Sequence, residues 1–309
     1  MRTSIAFVLF ASVACRSIGS TAVDLLAAPP ACDLAEWTAL KEGDYALPPD
    51  VPRDRLLERV RAALAAEDPR LRDEVLYDLM RHWLFPASRF TEDELRAHAA
   101  GLVAQLAVPT RAAPSGGDES VLLRSFSALH LSLLAASDLR HPFLDDAGWR
   151  ALFEAAVGYL AAEHDVRGYV AGTGWHHSVA HTADLLKFLA RSERLGAADQ
   201  ARVIATIEAK LGGVPCVLAW GEDERLAAVL VALVERDDFE FQTFEAWLAR
   251  ECTRRAAVWS TQPFDPARFV AAQNARNVLV SLHLALAGVD APSPEVQAAL
   301  AAVLASLRS

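Results

Sequence analysis

Two histidines and one aspartate share a helical spacing in the middle of the chain. His177, His181 and Asp184 stand at positions i, i+4 and i+7. In an α-helix, which turns by about 100° per residue, these side chains fall within about 60° of one another on one face. Imidazole and carboxylate groups bind divalent metals, and imidazole exchanges protons near neutral pH. The spacing therefore predicts a face that can hold a metal ion or move a proton.

Two other interpretations of this face stay open. The aspartate can simply fix the tautomer of an imidazole in a structural polar stripe, or the stripe can contact a bound partner. A zinc site needs a third strong ligand, for which Asp165, His164 and the neighbourhood of Arg124 are the candidates. The H-E-x-x-H signature is absent from the sequence. His176 points away from the stripe, so we expect it at the solvent or between helices.

A glycine-rich loop leads into this helix, and similar polar stripes occur on other helices. Gly168, Gly172 and Gly174 interrupt residues 163–177, and loops of this kind often carry function. If the stripe-bearing helices form the inner row of a curved array, their polar residues line one concave groove. Hydrogen bonds between neighbouring helices are the alternative use of these residues. The candidate functional residues are Trp175, His177, His181, Asp184, Asp165, Arg167, Arg124 and Asn277, of which His177, His181 and Asp184 are the candidate metal ligands.

The elements that position these residues are predicted to be helices throughout. Of 309 residues 53% are hydrophobic, while Gly and Pro number only 15 each and stand mostly between apolar runs. This composition is typical of many helices joined by short loops, and no strand run is expected. We predict an all-α, HEAT-like superhelix of paired antiparallel helices over residues 33–309, with an α/α toroid as the alternative. The predicted helices are 33–42, 53–66, 68–84, 92–107, 118–136, 145–163, 175–192, 197–211, 222–235, 240–257, 266–287 and 294–307.

The central run resembles a known family signature. Residues 174–186 read Gly-Trp-His-His-Ser-Val-Ala-His-Thr-Ala-Asp-Leu-Leu and follow Asp165 and Arg167-Gly168. This run resembles the bacterial domain of unknown function 2785 family, and weaker matches extend the resemblance over about residues 55–290. The weaker matches are Arg72-Asp73-Glu74, residues 123–127, residues 222–226 and residues 277–284. The resemblance implies an all-α, HEAT-like fold, assigns no activity, and makes Trp175, His177, His181 and Asp184 the motif residues.

The first residues have the anatomy of an export signal. Met1-Arg2 is followed by the apolar stretch 5–13 and then by Ala14-Cys15. This stretch is too short for a permanent membrane span, and a small residue before cysteine resembles the bacterial lipoprotein processing box. We therefore expect a signal peptide over 1–14, lipidation of Cys15, a tether over 15–32, and a membrane-anchored lipoprotein. Ordinary cleavage after Ala14 or Ala22, which gives a periplasmic or secreted protein, is the alternative.

Charge and cysteine content narrow the function. The chain carries 30 basic and 40 acidic residues and no basic stripe, so we expect no nucleic-acid partner and membrane contact only through the lipid anchor. If Cys15 is lipidated, three cysteines remain, and a disulfide between Cys216 and Cys252 is left open. Our first hypothesis is a binding or scaffold module for a protein or peptide in the cell envelope. The alternative is a metal-assisted hydrolase that uses His177, His181 and Asp184.

Overall fold

The computed structural model describes residues 34–110, 118, 120–289 and 293–306. The predicted signal peptide, Cys15 and the whole of the predicted tether lie outside these residues. The described chain is all-α, as predicted, with one two-stranded exception. Its helices are α1 Leu34–Glu42, α2 Arg53–Ala63, α3 Tyr77–Leu84, α4 Glu92–Leu106, α5 Val121–Asp138, α6 Asp146–Ala162, α7 Ser178–Ala190, α8 Ala197–Gly213, α9 Glu222–Val234, α10 Phe241–Ser260, α11 Pro266–Leu286 and α12 Pro294–Ser306.

Local capping chemistry sets several helix starts where the sequence predicts them. Thr91 caps α4 in a capping box, because its hydroxyl accepts from the Glu94 N–H while the Glu94 carboxylate accepts from the Thr91 N–H. Asp265 caps α11 by accepting from two backbone N–H groups, and Pro266 occupies the first helical turn. These starts depend on neighbouring residues alone.

Alternate helices lie side by side. Helix α5 packs against α7, α7 against α9 and α9 against α11, while α4, α6 and α8 form a second row. The row α5, α7, α9, α11 carries four of the eight candidate residues, and the other four lie in the segment that leads into α7. A superhelix and a toroid both place alternate helices next to one another, so the choice between them stays a prediction.

The structure corrects two local expectations. The predicted helix 175–192 begins only at Ser178, since residues before it form a short antiparallel ladder of β1 Tyr169–Val170 and β2 Gly174–Trp175. The expectation of no strand was therefore wrong at this loop. The predicted helix 68–84 is also not uniform, because a π-helical segment, Arg70–Leu76, runs directly into α3.

Both cysteines in the described part of the chain are free. Cys216 is exposed and Cys252 is half-buried, and no disulfide joins them. None of the described helices is both long enough and apolar enough to cross a membrane.

Candidate functional site

The loop between α6 and α7 folds into a hairpin that is held against the π-helical segment. Tyr169 pairs with Trp175 in the ladder, and backbone bonds continue it as His176 and His177 donate to the carbonyls of residues 168 and 167. Gly174 has φ +79°, and a Cβ there would lie 2.5 Å from the Cβ of Pro69. The glycine is therefore required both by backbone conformation and by the close approach of the π-helical segment.

His177 links the hairpin to the loop before α9. It takes the left-handed conformation at the N-cap of α7, with φ 45°. Its Nε2 donates to the carbonyl of Trp220 at 2.8 Å, and its ring stacks on Trp175 with centroids 4.4 Å apart. Because a carbonyl only accepts, Nε2 carries the proton. Burial lowers the pKa of His177, which favours this neutral ring.

His181 is buried and held in the opposite tautomer. Its Nδ1 lies 2.8 Å from the Ser125 hydroxyl, which also hydrogen-bonds to the carbonyl of His176. The serine has one proton and must give it to the carbonyl, so the Nδ1–H of His181 donates to the serine oxygen. Burial holds the pKa of His181 well below its ordinary value. The imidazole is neutral, with the lone pair on Nε2.

Asp184 pairs with cationic side chains and not with the two histidines. Its carboxylate forms ion pairs with Arg225 of α9 and, at 3.2 Å, with Lys187. Among the described residues, no group of three or more His, Cys, Asp or Glu side chains is placed to hold a metal ion. His177 and His181 lie close together, with ring centroids 5.6 Å apart. The Asp184 carboxylate instead pairs with the neighbouring cations Arg225 and Lys187. The structure does not gather the three side chains into the predicted ligand set.

His176 is not at the solvent. It lies in the hairpin, is only 4% exposed, and its Nε2 lies 3.0 Å from the Thr173 hydroxyl. Burial lowers its pKa to about 4. The expectation of a position at the solvent or between helices rested on helical angles, which do not apply here because α7 begins only at Ser178.

Three aromatic side chains form what we call the aromatic shelf: Tyr169, Trp175 and Trp220. The ring centroids of Tyr169 and Trp175 are 5.2 Å apart, and those of Trp175 and Trp220 are 6.0 Å apart. Tyr169 is 48% and Trp220 49% exposed. Gly168 lies directly under the indole of Trp220, since a Cβ at residue 168 would come within 2.1 Å of Trp220 Cδ1. The shelf therefore presents large apolar rings to solvent in a fixed arrangement.

The loop that carries Trp220 is fixed at several points. The N–H of Trp220 donates to Glu222 at 2.7 Å, and the N–H of Leu218 donates to the side-chain oxygen of Asn274 at 2.9 Å. Asn274 also donates to the carbonyl of Cys216. The predicted candidate Asn277 lies elsewhere and pairs with Gln273 within α11. Of these two asparagines, Asn274 is therefore the one that contacts the loop.

Beside the shelf lies a cavity of about 540 Å³, which we call the shelf cavity. Trp220 forms part of its wall, together with the apolar residues Val166, Val217 and Leu218. Asp165 and Arg167, two predicted site residues, also line it and form an ion pair with each other. A volume in this range suits a small molecule or a side chain of a bound chain.

A buried ion network closes one side of this cavity. Arg124 pairs with Asp118 and, at 2.6 Å, with Glu163, and all three are at most 6% exposed. Arg167 donates to the carbonyl of Asp118 at 3.1 Å, and Lys210 donates to that of Glu163. The predicted residue Arg124 therefore ties helices together, which is the structural use of its stripe that the sequence left open.

The sequence-based candidates do not include Trp220, although it stands two residues before the marked run 222–226. Glu163, Arg225 and Asn274 lie in segments that the sequence marks, but they are not among the candidate functional residues. Nothing in the spacing shows that residue 220 approaches residue 168.

Comparison with known proteins identifies the family. The family model described as Protein of unknown function (DUF2785) matches residues 114–284, which is more than half of the chain. The chain belongs to the DUF2785 family. The DUF2785 match contains the hairpin, the aromatic shelf and the buried ion network. No curated protein matches the chain, and no solved structure matches it either.

Proposed function

We propose that this DUF2785 chain is a binding or scaffold module that takes a segment of a protein or peptide on the aromatic shelf. The observation that supports the proposal is the pair of neighbouring, half-exposed rings of Tyr169 and Trp220, whose centroids are 6.4 Å apart and of which Trp220 lines the shelf cavity. Tyr and Trp supply large contact areas at low entropic cost, and they are enriched where proteins bind one another.

The chemistry of the shelf cavity indicates what it takes. Its charged residues are already paired: Asp165 with Arg167, and Glu163 with Arg124. The carboxylate of Glu222 accepts from the N–H of Trp220. Because each of these charged groups has a partner within the protein, we infer that the attraction for a ligand comes mainly from Val166, the Val217–Leu218 segment and Trp220. We infer that an apolar side chain of the partner enters the cavity while neighbouring partner residues stack on the shelf.

A peptide-display experiment tests this proposal. Peptides of random sequence are selected on the immobilised full chain, and the dissociation constants of the selected peptides are compared between variants. Trp220→Ala removes the shared wall of shelf and cavity, whereas Trp259→Ala removes an exposed indole on α10 that is 58% exposed. Loss of a central Trp weakens binding by about 30-fold or more.

The proposal expects this loss with Trp220→Ala, a smaller loss with Tyr169→Ala, and unchanged binding with Trp259→Ala. It is contradicted if no peptide is enriched, or if Trp220→Ala and Trp259→Ala weaken the selected peptides equally. Urea unfolding of each variant shows whether a loss of binding comes from loss of the fold.

We propose further that the module is exported and held at a membrane by lipid on Cys15. The support is the order of a short positive start, the apolar stretch 5–13 and a small residue before the cysteine. Mass spectrometry of the mature N-terminus tests it. A diacylated cysteine as the first residue, lost in Cys15→Ser, is the expected result, and an N-terminus at Met1 in cell extracts contradicts it.

A further inference from the structure

A second cavity, of about 530 Å³, lies on another side of α7 and is rich in positive charge. We call it the cationic cavity. Five cationic side chains line it, and the only carboxylate among its lining residues is that of Asp184. The cations are Arg81, Arg140, Lys187, Arg191 and Arg225.

This gathering of positive charge runs against the composition of the chain, whose net charge is −10. Asp184 is only 6% exposed, and its carboxylate is shared by Arg225 and Lys187. Arg81 pairs with Asp78 at 2.9 Å, outside the cavity lining. The carboxylates therefore compensate part of the charge and leave the mouth of the cavity positive.

Two of the arginines pair with rings in place of acids. The guanidinium of Arg140 lies 5.1 Å from the ring centroid of Phe85, and that of Arg191 lies 5.7 Å from that of Phe188. Among the described residues, neither arginine forms an ion pair with a carboxylate. A guanidinium over a ring keeps its N–H edge available, and that edge matches a phosphate in a bidentate geometry.

The wall of the cationic cavity is apolar between these charges. Tyr77, Phe85, Leu133 and Phe188 line it, and Ser132 adds a hydroxyl whose own proton goes to the carbonyl of Leu129. A ligand that fits this surface carries negative charge at one end and an apolar body at the other.

We propose that the cationic cavity binds an organic phosphate, with the phosphate between Arg140 and Arg191 and the apolar part against the Phe85 and Phe188 rings. Asp184 is a positioning residue in this site, because it holds Lys187 and Arg225 at the cavity without touching the ligand. The phosphate comes either from a soluble ester or from the headgroup of a membrane lipid. The site is independent of the aromatic shelf and of its proposed partner.

Isothermal titration of the full chain with phenyl phosphate tests the site. The test variant is Arg140→Gln/Arg191→Gln, and the matched control is Arg55→Gln/Arg268→Gln, which removes the same charge from exposed arginines on α2 and α11. We expect saturable binding by the wild type and by the control. We expect the test variant to bind at least about tenfold more weakly, because two charge-assisted contacts are lost. Added salt is expected to weaken the binding of phenyl phosphate by the wild type.

Two further arms identify the source of the phosphate. Cosedimentation compares vesicles of phosphatidylcholine alone with vesicles that also contain phosphatidic acid. If more protein sediments with the phosphatidic acid vesicles, and phenyl phosphate abolishes this excess, the phosphate is that of a lipid headgroup. If phenyl phosphate binds saturably but the two kinds of vesicle sediment equal amounts of protein, the phosphate is that of a soluble ester. If the double variant loses its helical circular dichroism, Arg140→Gln alone takes its place, with Arg55→Gln as its control. The proposal is overturned if phenyl phosphate shows no saturable binding, or if the test and control variants weaken it equally.

Discussion

A methyl group added at residue 168 is predicted to displace the indole of Trp220, which lies directly over Gly168. Gly168 lies outside the left-handed region, so alanine suits its backbone, but the new Cβ would stand 2.1 Å from Cδ1 and 2.6 Å from Cβ of Trp220. Real carbon atoms do not approach so closely, and the indole must therefore move. Overpacking of this kind costs about 1–3 kcal/mol of stability. Replacing Gly by Ala returns about 0.4–1 kcal/mol by restricting the unfolded chain.

The net expectation for Gly168→Ala is a loss of about 1–2 kcal/mol in the free energy of unfolding. In a Trp220→Gly background the three atoms nearest to the new methyl group are removed, and the same change is expected to become neutral or stabilising by up to about 1 kcal/mol. The difference between the two backgrounds, about 1–3 kcal/mol, isolates the contact between residues 168 and 220. Gly158→Ala is the control, since a Cβ there meets nothing within 4 Å.

The free energy of unfolding is measured by urea unfolding for the wild type, the two single variants, the double variant and the control. Far-ultraviolet circular dichroism is the signal, because tryptophan fluorescence would itself change with Trp220→Gly. Gly168→Ala should also weaken peptides selected on the aromatic shelf, because the displaced indole no longer forms the cavity wall. The close contact between Trp220 and Gly168 would be refuted if Gly168→Ala changed the free energy of unfolding equally in both backgrounds. It would also be refuted if Gly168→Ala stabilised the protein that retains Trp220.

Three further predictions concern buried polar groups. Burial holds the pKa of His176 at about 4 and that of His130 at about 3, so the unfolded chain takes up protons that the folded chain excludes, and stability falls as the pH drops from about 6.5. Each histidine contributes up to about 1.4 kcal/mol per pH unit to the slope of the free energy of unfolding against pH. Urea unfolding at several pH values should therefore give a shallower slope for His130→Leu than for the wild type, and an unchanged slope contradicts this prediction. Ser125→Ala should cost about 2 kcal/mol or more in urea unfolding, because a buried carbonyl and an imidazole N–H lose their partner. A cost below about 0.5 kcal/mol refutes the hydrogen bonds assigned to Ser125. Glu163→Gln breaks a buried ion network and should cost about 3–5 kcal/mol by the same assay, against at most about 1 kcal/mol for Glu154→Gln in an exposed pair; equal costs contradict a structural role for the network.

Much of the fold follows from local signals in the sequence. The start of α4 depends on Thr91 and Glu94, three residues apart, and that of α11 on Asp265 and Pro266. Capping residues and apolar spacing act within one or two turns, so a single sequence contains the information. The family resemblance rests on the contiguous run 174–186, and the matched family confirms it.

The start of α7 and the division of its polar stripe depend on distant contacts. Gly174 and His177 adopt left-handed conformations where the hairpin meets Pro69 and Trp220, more than 40 residues away in either direction. Asp184 shares a helix face with His181 by spacing, yet its carboxylate goes to Arg225 of another helix. Helical spacing shows which side chains share a face but not which neighbour they contact.

Photo-crosslinking in the cell tests directly whether the aromatic shelf binds a partner. A benzoylphenylalanine is placed at Tyr169 or, as a control, at Trp259, an exposed aromatic residue on α10. The account predicts a discrete crosslinked product from position 169 that disappears when Trp220→Ala is added and that position 259 does not give. Absence of any product at 169, or the same product from both positions, contradicts the account.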